Sequence, residues 1–166
     1  MNDHVDLVLA QWAQAMPEVD VSSMAVFGRM LRLHKHLERN RAEALAHYGF
    51  KEGEFDVLAT LRRAGEPYRL TPTQLYRSLL VTSGAMTHRL ARLEAAGWVE
   101  RLADPADRRS LQVGLTAEGL GLIEAAVVTH TQIQNEVLAP LDAQQREVLG
   151  QLLKALLAAQ PGEHAG

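Results

Sequence analysis

Thr71-Pro72-Thr73-Gln74-Leu75-Tyr76-Arg77-Ser78-Leu79-Leu80, Val81-Thr82-Ser83-Gly84 and Ala85-Met86-Thr87-His88-Arg89-Leu90-Ala91-Arg92-Leu93-Glu94-Ala95-Ala96-Gly97 read as two helices across a tight turn. Trp98-Val99-Glu100-Arg101-Leu102-Ala103 and Leu111-Gln112-Val113-Gly114-Leu115-Thr116 follow as two strands joined by a charged loop. Thr71 can cap the first helix, with Pro72 at the position where a missing N–H costs nothing. Ser83 can cap the second, and Gly97 can end it in the left-handed conformation. Between those caps Met86, Leu90 and Leu93 form one apolar stripe, while Ala85, His88, Arg89 and Arg92 share the other side. The pattern is that of a winged helix-turn-helix.

The second helix suits a DNA major groove, where arginine reaches guanine O6 and N7 and threonine meets a thymine methyl. Its candidate contacts are Ser83, Thr87, His88 and Arg92, joined by Thr73 and Gln74 from the preceding helix. Arg108 and Arg109 at the hairpin tip can enter a minor groove or lie along phosphates. On a lone helix, Arg89 and Arg92 would more commonly be plain surface charges. The helix-turn-helix and the wing together favour DNA.

Around this module the chain has 166 residues, 47% hydrophobic and 22% charged, enough for a sizeable core. A net charge of -3 poorly matches a nonspecific nucleic-acid binder, but the distribution matters more. From Arg62 to Arg109 there are nine arginines against five acids (Glu66, Glu94, Glu100, Asp104 and Asp107). With no cysteine, disulfides, thiolate metal sites and cysteine-based oxidant sensing are excluded. Neither a signal segment nor a membrane-length apolar run appears, so a cytoplasmic protein with no membrane partner is expected.

Residues 3–16 carry Val5, Val8, Leu9, Trp12 and Met16 at helical spacing before Pro17. Asp20 can cap a long helix through residue 47, with a stripe of Met24, Phe27, Leu31, His34, Leu37 and Leu45. Residues 53–64 predict a helix burying Phe55, Val57, Leu58 and Leu61. Thr116 and Asp142 can cap two final helices, the last rich in Val148, Leu149, Leu152, Leu153, Leu156 and Leu157. Such wide apolar faces at both ends predict a homodimer, with an intramolecular helical cap as the alternative. Two winged modules one helical turn apart would read a palindromic operator. The expected fold is mainly α with a small β-hairpin wing, flanked by terminal dimerisation helices. Its divisions are residues 1–50 (N-terminal helices and ligand pocket), 51–116 (DNA-binding module) and 117–166 (C-terminal dimerisation helices).

The run Arg89 to Arg101, the segment Asp104-Pro105-Ala106-Asp107-Arg108-Arg109-Ser110 and the start Leu115-Thr116-Ala117-Glu118-Gly119 together resemble the MarR-type regulators, in element order over nearly the whole chain. That resemblance implies a homodimer on a palindromic operator, usually released by a small ligand held between dimerisation and DNA-binding parts. In its pattern Asp107 looks like the residue that braces the wing arginines. A finer resemblance is to the urate-responsive, PecS- and HucR-like branch, whose tryptophan, aspartate and two arginines match Trp12, Asp56, Arg89 and Arg101. An indole face, a carboxylate and two guanidinium groups suit a flat acidic purine such as urate; a phenolic or other aromatic acid makes similar demands. If Arg89 swung toward such a ligand, it would draw the recognition helix out of register. Each residue also has a plainer reading: Trp12 in a core or dimer interface, Asp56 paired with Arg62 or Arg101, and Arg89 on phosphate.

No Gly-rich phosphate loop, Gly-x-Ser-x-Gly or His-Glu-x-x-His occurs, so neither an enzyme nor a cofactor is expected. His34 and His36 are two apart on a helix and, with Glu38 and His47, make a weak metal site at best. A helical interaction module without DNA binding is the remaining alternative.

Overall fold

The computed structural model describes residues 2–51, 53–79, 83–103 and 111–160, apart from the side chain of Ser83. The architecture is mainly helical with one small antiparallel sheet, and it divides into compact units Met1–His130 and Thr131–Gly166.

In the first unit α1 (His4–Ala15) opens with a reciprocal cap. Asp3 accepts from the N–H groups of Val5 and Asp6 at 2.7 and 3.0 Å, and Asp6 accepts from the N–H of Asp3 at 2.8 Å. The Asp6 N–H foremost, with help from Arg29 and Val5, holds the Asp3 carboxyl below its ordinary value. Arg29 of α2 (Ser22–Leu45) grips both acids, at 2.8 and 2.7 Å, fixing the otherwise marginal first helix to the second. Val5 packs over Gly28, where an added Cβ would come within 3.2 Å of its Cγ1. Asp20 accepts from the N–H of Ser22 at 2.9 Å, one position before the N-cap Val21. The α2 stripe is not a core stripe throughout. Leu45 is buried, whereas Phe27 is 62% and Leu31 55% exposed, and His34 is exposed as well.

A 3-10 turn (Ala46–Tyr48) leads to α3 (Glu54–Arg63), α4 (Pro72–Leu79) and α5 (Ser83–Ala95). Thr71 and Gln74 cap α4 reciprocally: Thr71 Oγ1 accepts from the Gln74 N–H at 3.2 Å, and Gln74 Oε1 accepts from the Thr71 N–H at 2.8 Å. The core is built from the expected stripes of α3 and α5, joined by Leu75 of α4, which no expected stripe includes. Val57, Leu58 and Leu61 of α3, Leu75 of α4 and Met86, Leu90 and Leu93 of α5 are all 3% exposed or less. By the measured values of about 25 cal/mol per Å² for apolar burial, each such side chain stabilises by roughly 1.5–3 kcal/mol.

The α5 helix ends as its sequence demands. Gly97 has φ +76°, its N–H donates to the Glu94 carbonyl at 3.0 Å, and the Trp98 N–H donates to the Leu93 carbonyl at 3.0 Å. Two strands follow, β2 (Val99–Ala103) and β3 (Leu111–Leu115), paired from Val99 with Leu115 to Ala103 with Leu111. A third strand, β1 (Arg69–Leu70), joins the other edge of β3, giving the order β1-β3-β2. The hairpin expectation missed it because two residues carry no readable alternation. The tip residues Asp107, Arg108 and Arg109 lie outside the described residues.

Thr116 then joins wing to helix. Its Oγ1 donates to the Gly97 carbonyl at 2.7 Å and accepts from the Gly119 N–H at 3.0 Å, capping α6 (Ala117–Val137). At Gly119 any Cβ would overlap the Trp98 carbonyl, so the backbones approach there only because the side chain is absent. The Leu-Thr-x-x-Gly signature is the covalent form of this joint. Ile123 and Ala126 of α6 complete the core with α3, α4 and α5.

In the second unit Asp142 and Gln145 cap α7 (Ala143–Ala158) reciprocally, at 2.8 and 2.9 Å. The helix has no buried residue, and Leu152 is 60% and Leu157 54% exposed. No helix among the described residues is long and apolar enough to cross a membrane.

Candidate functional site

On the outward face of α5, Thr87, His88 and Arg92 are exposed, as are Thr73 and Gln74 on α4. Their surroundings differ. Gln74 is occupied by the α4 cap. Arg92 Nη2 lies 2.9 Å from Glu54 Oε1, and Glu54 is buried to 4% side-chain exposure. The other oxygen of Glu54 accepts from the Lys51 N–H at 2.8 Å. A carboxylate in the first turn of α3 is favoured by the helix dipole, and its two bonds compensate much of its desolvation. Arg92 therefore anchors the recognition helix to the start of α3 while half its side chain faces outward.

Arg89 approaches the same place from one turn earlier. Its guanidinium lies over Gly53, where a Cβ would collide with it, and Gly53 holds φ +75°. Both recognition-helix arginines thus converge on the entry to α3.

Behind Arg89 a cavity of about 770 Å³ opens between the helices of the first unit. Asp56 from α3 and Arg89 from α5 line it, together with Arg41 of α2, Arg63 of α3 and His130 of α6. Of the four residues that the finer sequence resemblance assigns to a ligand, Asp56 and Arg89 meet here. Trp12 and Arg101 are not in the lining. Trp12 is 39% exposed on α1, and Arg101 Nε pairs with Glu94 at 2.9 Å beside the end of α5. Asp56 pairs with neither Arg62 nor Arg101; its partner is Arg41 at 3.5 Å, while Arg62 holds Glu124 at 2.8 Å.

Arg41, Glu54 and His130 were not singled out by sequence. Arg41 follows His34 and Glu38 at helical spacing, and that periodicity is the signal for a shared polar wall. Glu54 could have been marked as an acid beside a glycine at a helix start. For His130, which lies on α6 far along the chain, no local signal exists. Its ring rests 5.1 Å from that of Phe55, and its buried Nδ1 has no hydrogen-bond partner among the described residues. Burial, and secondarily Arg41, lowers its pKa below the ordinary 6.5, opposed by Asp56 and Glu38. That direction favours the neutral ring over the charged one.

A family model described as MarR family matches residues 48–110. The HTH-type transcriptional regulator PecS of Dickeya dadantii is 36% identical over 146 residues, covering 88% of each chain. The multiple antibiotic resistance protein MarR of Escherichia coli is 33% identical over 132 residues, 78% of this chain and 90% of its own. A mutant of that MarR crystallised with operator DNA superposes with a TM-score of 0.68 at 30% identity, covering 88% of this chain and 97% of that one.

Proposed function

The chain belongs to the MarR family of transcriptional regulators, and from that premise we propose that it is a repressor: a homodimer on a palindromic operator, released when a small aromatic anion such as urate enters the cavity between Asp56 and Arg89. The observation that carries the effector part is that a recognition-helix residue, Arg89, lines the same cavity as Asp56 and Arg41. A ligand that recruited the Arg89 guanidinium would pull on the helix that reads DNA. Release then follows from differential affinity of the ligand for a displaced α5.

For operator contact the proposal assigns Thr73, Gln74, Ser83, Thr87, His88 and Arg92, with Arg108 and Arg109 from the wing braced by Asp107. The relative crystallised with operator DNA supports duplex DNA as the partner. Exposed apolar residues on α1, α2 and α7, Phe27 and Leu152 among them, support a dimer built from the two ends of the chain.

A phenolic or other aromatic acid is a second reading, favoured by the absence of Trp12 and Arg101 from the cavity lining. Such a ligand needs guanidinium groups but not the whole quartet. A mobility-shift assay on the intergenic DNA upstream of the protein's own gene, with urate, xanthine and salicylate as competitors, tests both. Salt-sensitive retardation, reversed by one of the three, supports the proposal. Absence of retardation at low salt refutes the repressor, and retardation indifferent to all three refutes the effector class.

A further inference from the structure

We propose that Arg41 is the principal anion-binding residue of the effector cavity, and that the effector is a planar aromatic anion bound by the Arg41 guanidinium against the Phe55 and His130 corner. The inference rests on the reading of this cavity as the effector site, and it adds to Asp56 and Arg89 a residue on a different helix.

Arg41 stands apart in how loosely it is held. Arginines 29, 62, 92 and 101 reach their acids at 2.7–2.9 Å, the length of a full charge-assisted hydrogen bond. Arg41 reaches Asp56 only at 3.5 Å and Glu38 only at 3.9 Å. Yet its side chain, 27% exposed, is the most buried of these five. A guanidinium that is partly desolvated but poorly bonded leaves donor capacity unused, and that is costly unless an acceptor arrives. An anion supplies it.

Its position is equally particular. Arg41 lines both the 770 Å³ cavity and an adjoining one of about 490 Å³, which share Glu38, Gly53 and Phe55 as well. Its guanidinium carbon lies 5.6 Å from the centre of the Phe55 ring, and the ring of His130 lies on Phe55 in turn. The Phe55 and His130 rings, inclined at 56° to each other, make an aromatic corner beside a cation, where a planar ring carrying a carboxylate or enolate can pack on one of the two faces. Burial of His130 disfavours a second charge at that corner. Asp56, beside Arg41, can accept from an N–H or O–H on the same ligand. Arg63 and Arg89 complete a cationic balance of three arginines against Asp56 and Glu38.

The required ligand is therefore a bidentate acceptor with a flat apolar body. Lysine does not replace a planar guanidinium in such a role.

Titration calorimetry of urate and of salicylate into the full-length protein, with Arg41→Gln, Arg41→Lys and Arg39→Gln, tests this. Arg39 is on the same helix but bonds His36 and lies outside the cavity lining. The expected result is about tenfold or greater weakening for both Arg41 variants and none for Arg39→Gln. Operator affinity without ligand, by mobility shift, should stay within about twofold for each variant, since none alters a proposed operator contact. If the parent binds urate or salicylate and Arg41→Gln binds it equally well, the assignment of Arg41 is overturned while the effector cavity survives. If the parent binds neither, both readings fall. If Arg41→Gln loses ligand and operator affinity together, the residue is structural and the proposal is overturned.

Discussion

Arg92 on the recognition helix and Glu54 at the start of α3 are 2.9 Å apart, one half in solvent and the other buried. The pair ties the DNA-reading element to the body of the module through a carboxylate that has little access to water. Glu54 keeps its second bond to the Lys51 N–H, so its charge is accommodated only while both partners remain.

Removing Arg92 should therefore cost stability as well as operator affinity. For Arg92→Ala we expect a loss of about 1–3 kcal/mol, because a buried acceptor is left short of a donor. The readout is a lower urea midpoint with unchanged slope. Combining it with Glu54→Gln should recover part of the loss, since the neutral amide no longer needs a cation. Strict additivity of the two substitutions would show that the pair carries no coupling energy.

Two glycines on α6 should respond in opposite directions. Gly119→Ala drives a methyl into the Trp98 carbonyl and should cost at least about 2 kcal/mol, seen as a melting temperature lowered by roughly 4–8 °C. Gly121→Ala, with nothing within 4 Å of its Cβ, should gain about 0.5–1 kcal/mol from helix propensity. Equal melting temperatures for the two variants would mean that the wing-to-helix joint is not as tight as described.

The joint and the core were legible in the sequence because they rest on local rules. Met86, Leu90 and Leu93 announce a buried stripe by spacing, Gly97 announces a helix end, and Thr116 with Gly119 announces a helix start. The cavity was legible only in part. Asp56 and Arg89 were readable from their places in two motifs, but Arg41 and His130 enter from helices whose rotation about the core no local pattern fixes. The α2 stripe was legible as an apolar face, but what it packs against was not. Met24, Phe27 and Leu31 have the spacing of a core face, yet they remain exposed, and periodicity alone does not distinguish a face turned to the core from one awaiting a partner.

His130 should give the fold a pH dependence. Its pKa is lowered in the folded state, so the unfolded chain takes up the proton first as pH falls. The sign is thus a loss of stability on acidification, beginning near the ordinary value of 6.5 and growing as pH drops toward the folded value. Well above 6.5 the slope from this histidine fades, because neither state then binds the proton. Urea unfolding of the parent and of His130→Phe between pH 7.5 and about 5 should diverge in this sense, with the variant showing the shallower decline. Parallel curves would assign the acid sensitivity elsewhere.

Asp56→Ala should separate ligand response from DNA binding. The carboxylate lines the cavity beside Arg41 and lies outside the proposed operator contacts, so retardation of operator DNA should persist while release by urate or salicylate needs about tenfold more ligand. Release at the parent's concentration would remove Asp56 from the effector site.

Salt dependence can sort the operator contacts by kind. A residue that neutralises a phosphate contributes counterion release, so its removal should reduce the slope of log K against log salt by about one. Arg109→Ala is expected to do this, since the wing tip is assigned to the backbone or the minor groove. Thr87→Ala, on the outward face of α5, should weaken binding to the cognate operator by about 1–3 kcal/mol without changing the slope, as loss of an uncharged base contact does. The two variants then separate further on a scrambled duplex. Arg109→Ala weakens nonspecific binding in proportion, whereas Thr87→Ala leaves it at the parent's level. If both variants changed the slope alike, α5 would be lying on the phosphates and not reading bases, and the assignment of Thr87 to the major groove would be withdrawn.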